Sequence, residues 1–153
     1  MPIPALETIA DHDLVDTIIY RSAEFIPRDG ILFSQGEPAD CLYLIKAGEA
    51  SLTMQAGGKE VRIRAGQFSL LGIPAIVGNQ PYSMTATASS DTEICRLSSI
   101  TFNDLLRTEP KMQQAVLFIL AGEVRVARQA LTELSLWSEA GDASIRDDEK
   151  KQS

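Results

Sequence analysis

Between Ala23 and Leu97 the sequence is cut into short apolar runs, each closed by a group of turn-forming residues. Runs this short do not make stable helices, and at this even spacing they build a sandwich or a barrel. Ala23-Glu24-Phe25-Ile26 stops at Pro27 and the turn Arg28-Asp29-Gly30. Ile31-Leu32-Phe33 leads into a loop from Gln35 to Asp40, and Cys41 to Ile45 leads into Lys46-Ala47-Gly48-Glu49. Ala50 to Met54 and Glu60 to Arg64 pair as a hairpin across Gly57-Gly58, because two adjacent glycines accept the positive φ angles of a tight turn. In the second arm Val61 and Ile63 take one face and Arg62 and Arg64 the other. Phe68 to Pro81 is irregular, and Ser83 to Ala88 and Glu93 to Leu97 complete the strands.

Outside that region the apolar period changes. Leu6, Ile9, Leu14, Ile18 and Ile19 fit one or two short helices, with Asp11 or Asp13 as a cap. Phe102, Leu105 and Leu106 mark another short helix with Thr101 as its cap. Pro110 then opens a long helix, at a position where its missing N–H leaves no bond unmade. Along that helix Leu117, Leu120, Val124, Ala127, Leu131 and Leu134 alternate by three and four, a seam that predicts a partner helix and hence a homodimer. The alternative is that the stripe packs on the strands, although Val116, Phe118 and Ile119 supply a second apolar face for that purpose. Residues 139–153 are polar and aperiodic and are expected to be disordered. The expected architecture is mainly β with α: one domain over 1–136, a sandwich or barrel flanked by N-terminal helices and a long C-terminal dimerisation helix.

Several functions are disfavoured by composition. The formal net charge is −7 and no basic stripe is present, so direct nucleic-acid binding is not expected. Cys41 and Cys95 stand alone in apolar runs without metal-ligand spacing, as packing residues of a reduced, cytoplasmic protein do. No apolar run is long enough to span a bilayer, and no membrane association is expected. His12 is the sole histidine, which removes the histidine cluster a metal-dependent β-roll enzyme needs. No nucleophile elbow, phosphate loop or dinucleotide fingerprint occurs. Asp11, Asp13 and Asp16 lack the glycine and closing glutamate of a calcium loop and form a solvated helix face. Neither an enzyme nor a metal site is expected.

Two segments carry a specific resemblance. Gly36-Glu37-Pro38-Ala39-Asp40-Cys41-Leu42-Tyr43-Leu44-Ile45, with Gly48 beyond it, resembles the signature of cyclic-nucleotide-binding domains. Gly72-Ile73-Pro74-Ala75-Ile76 through Pro81-Tyr82-Ser83-Met84-Thr85-Ala86 is similar to their phosphate-binding cassette. The form is that of the sensor domains of catabolite-activator and fumarate–nitrate regulators, and the resemblance covers about Ala23 to Leu136. It implies that the sandwich or barrel is a jelly roll, the cyclic-nucleotide-binding type of double-stranded β-helix. It also implies a ligand site at Gly72, Ile73, Pro74, Ala75, Tyr82, Ser83 and Thr85, with Arg128 passing nearby on the long helix. In the family a glutamate takes the ribose hydroxyl and an arginine neutralises the cyclic phosphate. Here the matching pairs are Gly72-Ile73 and Tyr82-Ser83, so both charged groups are missing.

Removing the cationic partner of a buried anion costs ~3–5 kcal/mol, about two to four decades of affinity. The expectation is therefore a non-enzymatic sensor or regulatory module with weak or no cyclic-nucleotide binding and no cofactor. Tyr82 either fills the vacated space with its ring or offers its hydroxyl to a neutral ligand. Arg128 is the one candidate for a replacement charge, or else flanks the seam in solvent. The family's regulators carry a winged helix-turn-helix after the long helix, and only a short tail follows Leu136 here. The alternative function is a protein-interaction scaffold that uses the roll and long helix as a platform.

Overall fold

The computed structural model describes residues 3–19, 23–125 and 128–129. Among these residues eight strands form two four-stranded antiparallel sheets. They are β1 (Ala23–Ile26), β2 (Ile31–Phe33), β3 (Cys41–Ala47), β4 (Ala50–Ala56), β5 (Lys59–Ala65), β6 (Leu70–Leu71), β7 (Thr85–Ala88) and β8 (Thr92–Ser98). One sheet runs β1-β8-β3-β6 and the other β2-β7-β4-β5. The helices are α1 (His12–Ile19), α2 (Ile73–Val77) and α3 (Ser99–Thr108), followed by helical residues 110–125, here α4.

The run Cys41 to Ile45 is buried along its whole length because the first sheet is covered on both faces. Tyr43 and Ile45 point into the roll, where they join Phe33, Leu52, Ile63 and Ile94. Leu42 and Leu44 belong to a second core with α1, α3 and α4, beside Val15, Ile18, Phe102 and Ile119. The second sheet has one wet face, so β5 alternates as its sequence predicts: Val61 and Ile63 are buried while Arg62 and Arg64 are exposed. Its hairpin turn has φ of 58° at Gly57 and 78° at Gly58, as a tight two-residue turn between twisted strands requires.

Among the described residues the N-terminal region holds one helix, α1. Asp11 caps it, its Oδ1 accepting the Leu14 amide at 3.1 Å. The preceding segment is extended and lies along β5 and the loop after it. Leu6 donates to the Arg64 carbonyl at 2.9 Å, Arg64 to Pro4 at 2.8 Å, and Ile9 to Phe68 at 2.9 Å. Leu6 is thereby drawn into the core of the roll. The cap of α3 is Ser98, whose Oγ accepts the Thr101 amide at 3.2 Å.

On α4 the residues Met112, Val116 and Ile119 are buried against the first sheet. Phe118 does not join them: it is 54% exposed, beside Leu117 at 69% and Val124 at 56%. Successive helical residues turn by about 100°, which carries 118 well away from the 112–116–119 stripe. Leu120 lies between the faces, partly buried on the second core. Arg128 is helical and exposed. Ala127, Leu131, Leu134 and the 139–153 tail lie outside the described residues.

Candidate functional site

The cassette begins where β6 ends. Gly72 adopts φ 98°, and a Cβ there would press on the Tyr82 ring at 3.3 Å and the Cys41 carbonyl at 3.4 Å. A side chain is thus opposed by both backbone conformation and space. The left-handed residue turns the chain into the single turn of α2, with Pro74 in its first positions. Ile73 is fully buried and directed into the helical core with Leu44 and Leu70 rather than along the roll interior.

Tyr82 sits where the cassette meets the Gly36-Glu37 loop. Its amide donates to the Glu37 carbonyl at 3.0 Å, and its carbonyl accepts the Gly36 amide at 2.8 Å. Its ring stacks on Phe33, centroids 4.1 Å apart, and its hydroxyl donates to the Cys41 carbonyl at 2.7 Å. Burial foremost, with Cys41 beside it, pushes the phenol up to about 12. Its proton therefore stays on the donor side of that bond. The ring fills space next to Gly72, and its one polar atom is already satisfied within the protein.

Beside Tyr82 remains a cavity of about 360 Å³. Phe33, Leu52, Met54, Val61, Ile63 and Leu71 line it from the roll. Gly72, Pro74, Ala75, Tyr82 and Ser83 line it from the cassette, with Met84 beyond them. Leu6 of the N-terminal segment contributes, and Leu120, Glu123 and Val124 close one side from α4. Of the predicted site residues, Gly72, Pro74, Ala75, Tyr82 and Ser83 come together here. Ile73, Thr85 and Arg128 are not part of the lining. Thr85 instead accepts the Gln35 amide on its Oγ1 at 2.9 Å, which ties the loop after β2 to β7.

Glu123 escaped the sequence reasoning. It is half-buried, and no hydrogen bond or ion pair reaches its carboxylate among the described residues. Burial pushes this carboxyl up to about 7. Its signal was available: 112, 116, 119 and 123 fall on one helical stripe, so an acid at 123 faces the roll. Leu6 could not be anticipated in the same way, because its docking on β5 is a long-range pairing.

The Arg96 side chain on β8 is engaged within its own sheet. Arg96 pairs with Glu24 at 2.5 Å and donates to the Tyr43 hydroxyl at 3.2 Å. Among the described residues no group of three or more histidines, cysteines or acids is placed to hold a metal ion. None of their helices is long and apolar enough to cross a membrane. Cys41 and Cys95 are buried free thiols, and burial raises the Cys95 thiol above its ordinary value.

Residues 23–109 match the family described as "Cyclic nucleotide-binding domain". The chain is 27% identical over 130 residues to an "Uncharacterized NTE family protein" of Mycobacterium bovis, an alignment covering 85% of this chain and 22% of the relative. It is 28% identical over 126 residues to the "Anaerobic regulatory protein" of Pasteurella multocida, covering 80% of this chain and 45% of that one. The crystal structure of the Thermus thermophilus catabolite activator protein superposes with a TM-score of 0.68 at 26% identity, over 83% of this chain and 61% of that chain. The chain thus spans less than half the length of these two curated relatives.

Proposed function

The chain belongs to the cyclic nucleotide-binding domain family, and from that premise we propose that it is a non-enzymatic regulatory module whose cavity no longer suits a cyclic nucleotide. The observation that supports this is the lining of the cavity. At the position the family gives to arginine stands Tyr82, stacked on Phe33 and bonded to Cys41. At the position of the glutamate stands Ile73, buried in the other core. No lysine or arginine lines the cavity among the described residues, and the group it does carry, Glu123, is an acid. A cyclic phosphate there would lie in an apolar space with no cation and a carboxylate for company.

The cavity's position supports a regulatory role. Leu120, Glu123 and Val124 belong to α4, so a ligand touches the roll and the helix together. It shifts the helix to the extent that it binds one packing of α4 better than another. Leu117, Phe118 and Val124 leave the outer face of α4 apolar and exposed. We assign that face to a second copy of the chain, continuing the seam toward Leu134. Buried free cysteines favour a reducing compartment, the cytoplasm. The second reading, a platform for a different protein, rests on the same exposed Leu117 and Phe118.

A thermal-shift titration with cyclic AMP and cyclic GMP to millimolar concentration tests the proposal. No change in melting temperature is expected. Saturation at about a hundred times the dissociation constant would stabilise the fold by ~2.7 kcal/mol, a shift on the order of 5–10 °C. A shift of that size at micromolar nucleotide would refute the reading and point to Arg128 as the replacement charge, with Arg128→Ala as the next variant.

A further inference from the structure

Among the described residues that line the cavity, Glu123 alone carries a charge. The rest is aliphatic, aromatic or thioether surface, with the Ser83 hydroxyl near the cassette and the Tyr82 hydroxyl already bonded to Cys41. A carboxylate facing an apolar space without a partner is a group waiting for one, since burial without a hydrogen bond or counter-charge is unfavourable. One carboxylate does not make a metal site, and no second ligand group lines the cavity among the described residues. At about 360 Å³ the space falls within the range of small-molecule sites and is large enough for a short hydrocarbon chain.

We infer that this cavity binds a small apolar amine, its hydrocarbon body among Leu52, Val61, Ile63 and Leu71 and its ammonium group on Glu123. The inference rests on reading the cavity as a ligand site and adds the chemical class of the ligand. Each part follows from one feature of the wall. The roll side offers only dispersion contacts and removal of apolar surface from water, which selects for chain length and not for polarity. The α4 side offers an acceptor and a negative charge, which selects a donor and a cation and repels an anion. The site has thereby exchanged the sign of charge that the cassette resemblance implies. An ammonium on Glu123 also draws α4 toward the roll, because the head group and the chain are held by different elements. A ligand with the chain but without the cation fills the roll without engaging the helix.

The test compares octan-1-amine, octan-1-ol and octanoate on the full chain at neutral pH, by calorimetry and thermal shift, with cyclic AMP alongside. The amine is expected to bind about tenfold more tightly than the alcohol, as one charge-assisted hydrogen bond supplies, and octanoate the least. Hexan-1-amine should bind more weakly by about fourfold for each methylene removed. Glu123→Gln should abolish the advantage of the amine while leaving the alcohol within about twofold of its wild-type affinity. Met84→Trp, a part-exposed residue of the cavity lining outside α4, should weaken all three probes and so place them in the cavity. Equal binding of the three heads, or an amine preference that survives Glu123→Gln, overturns the inference and leaves the regulatory proposal standing. Silence of all three probes also overturns it. Micromolar binding of cyclic AMP overturns the regulatory proposal, whatever the amine series shows.

Discussion

Replacing Glu123 by glutamine is expected to stabilise the protein above neutral pH and to leave it nearly unchanged in mild acid. The carboxyl stands at about 7 in the folded chain against an ordinary value of 4.5, because burial disfavours its charged form. A group raised in this way holds its proton longer in the native state than in the unfolded one. Stability is therefore highest below pH 4.5, declines as pH rises toward 7, and is level above that. At about 1.4 kcal/mol per pH unit the full displacement corresponds to roughly 3 kcal/mol, an upper figure because Glu123 retains some contact with water. Glutamine keeps the shape and cannot ionise, so the variant lacks this decline. For a domain of this size the gain at pH 8 translates to a melting temperature on the order of 6–12 °C above wild type. Melting curves of both proteins at half-unit steps from pH 5 to pH 8.5 provide the assay, and the difference between the curves removes the contribution of every other titrating group. Parallel pH profiles would refute the reasoning, since they would mean that Glu123 is solvated as well in the folded chain as in the unfolded one.

Three other perturbations follow from the same geometry. Tyr82→Phe keeps the stacked ring and removes the donor to the Cys41 carbonyl, so a loss of about 1–3 kcal/mol is expected in urea denaturation; an unchanged midpoint would mean that the bond contributes nothing. Gly122→Ala would gain up to about 1 kcal/mol in an isolated helix, but a Cβ there runs into the side chain of Glu7 on the N-terminal segment. A net loss of about 1–3 kcal/mol is expected, and a higher melting temperature would mean that the segment yields freely. Leu117→Asp places a charge on the outer face of α4 and is expected to convert a dimer to a monomer by light scattering without lowering the melting temperature of the roll; a dimer that persists would place the interface elsewhere.

Where apolar alternation met a single buried face, the sequence was transparent. Val61 and Ile63 against Arg62 and Arg64, and the Gly57-Gly58 turn, follow from a period of two and from φ alone. The continuous run Cys41 to Ile45 is legible as a strand but not as one covered on both sides, because that depends on helices from both ends of the chain. The segment from Phe68 to Pro81 hides a two-residue strand and a five-residue helix, both too short to show a period. The family's cassette is recognisable from the stretch Gly72 to Ile76 and the stretch Pro81 to Ala86, although Tyr82 departs from its arginine. The cavity beside it is not recognisable, since its walls include Leu6 and Leu120, brought together only by the completed fold. Phe118 and Glu123 share one cause: the direction of each position around the axis of the long helix, and not its residue type, decides which side chains meet the roll.

The sequence distance between those two walls governs the order in which the cavity assembles. The hairpin of β4 and β5 needs only neighbouring residues to close. Leu6 and Leu120 meet only after nearly the whole described chain has been placed between them, and closing so long a loop is slow and entropically unfavourable. The walls of the cavity are therefore expected to close later than the hairpin. Its two edges, the Leu6 segment and α4, are joined to each other near the cavity by the Glu7–Arg125 ion pair, which is open to solvent. Local opening between such edges requires less free energy than global unfolding. A guest can thus enter and leave by local opening between the Leu6 segment and the Leu120–Val124 stretch of α4 while both sheets of the roll stay intact.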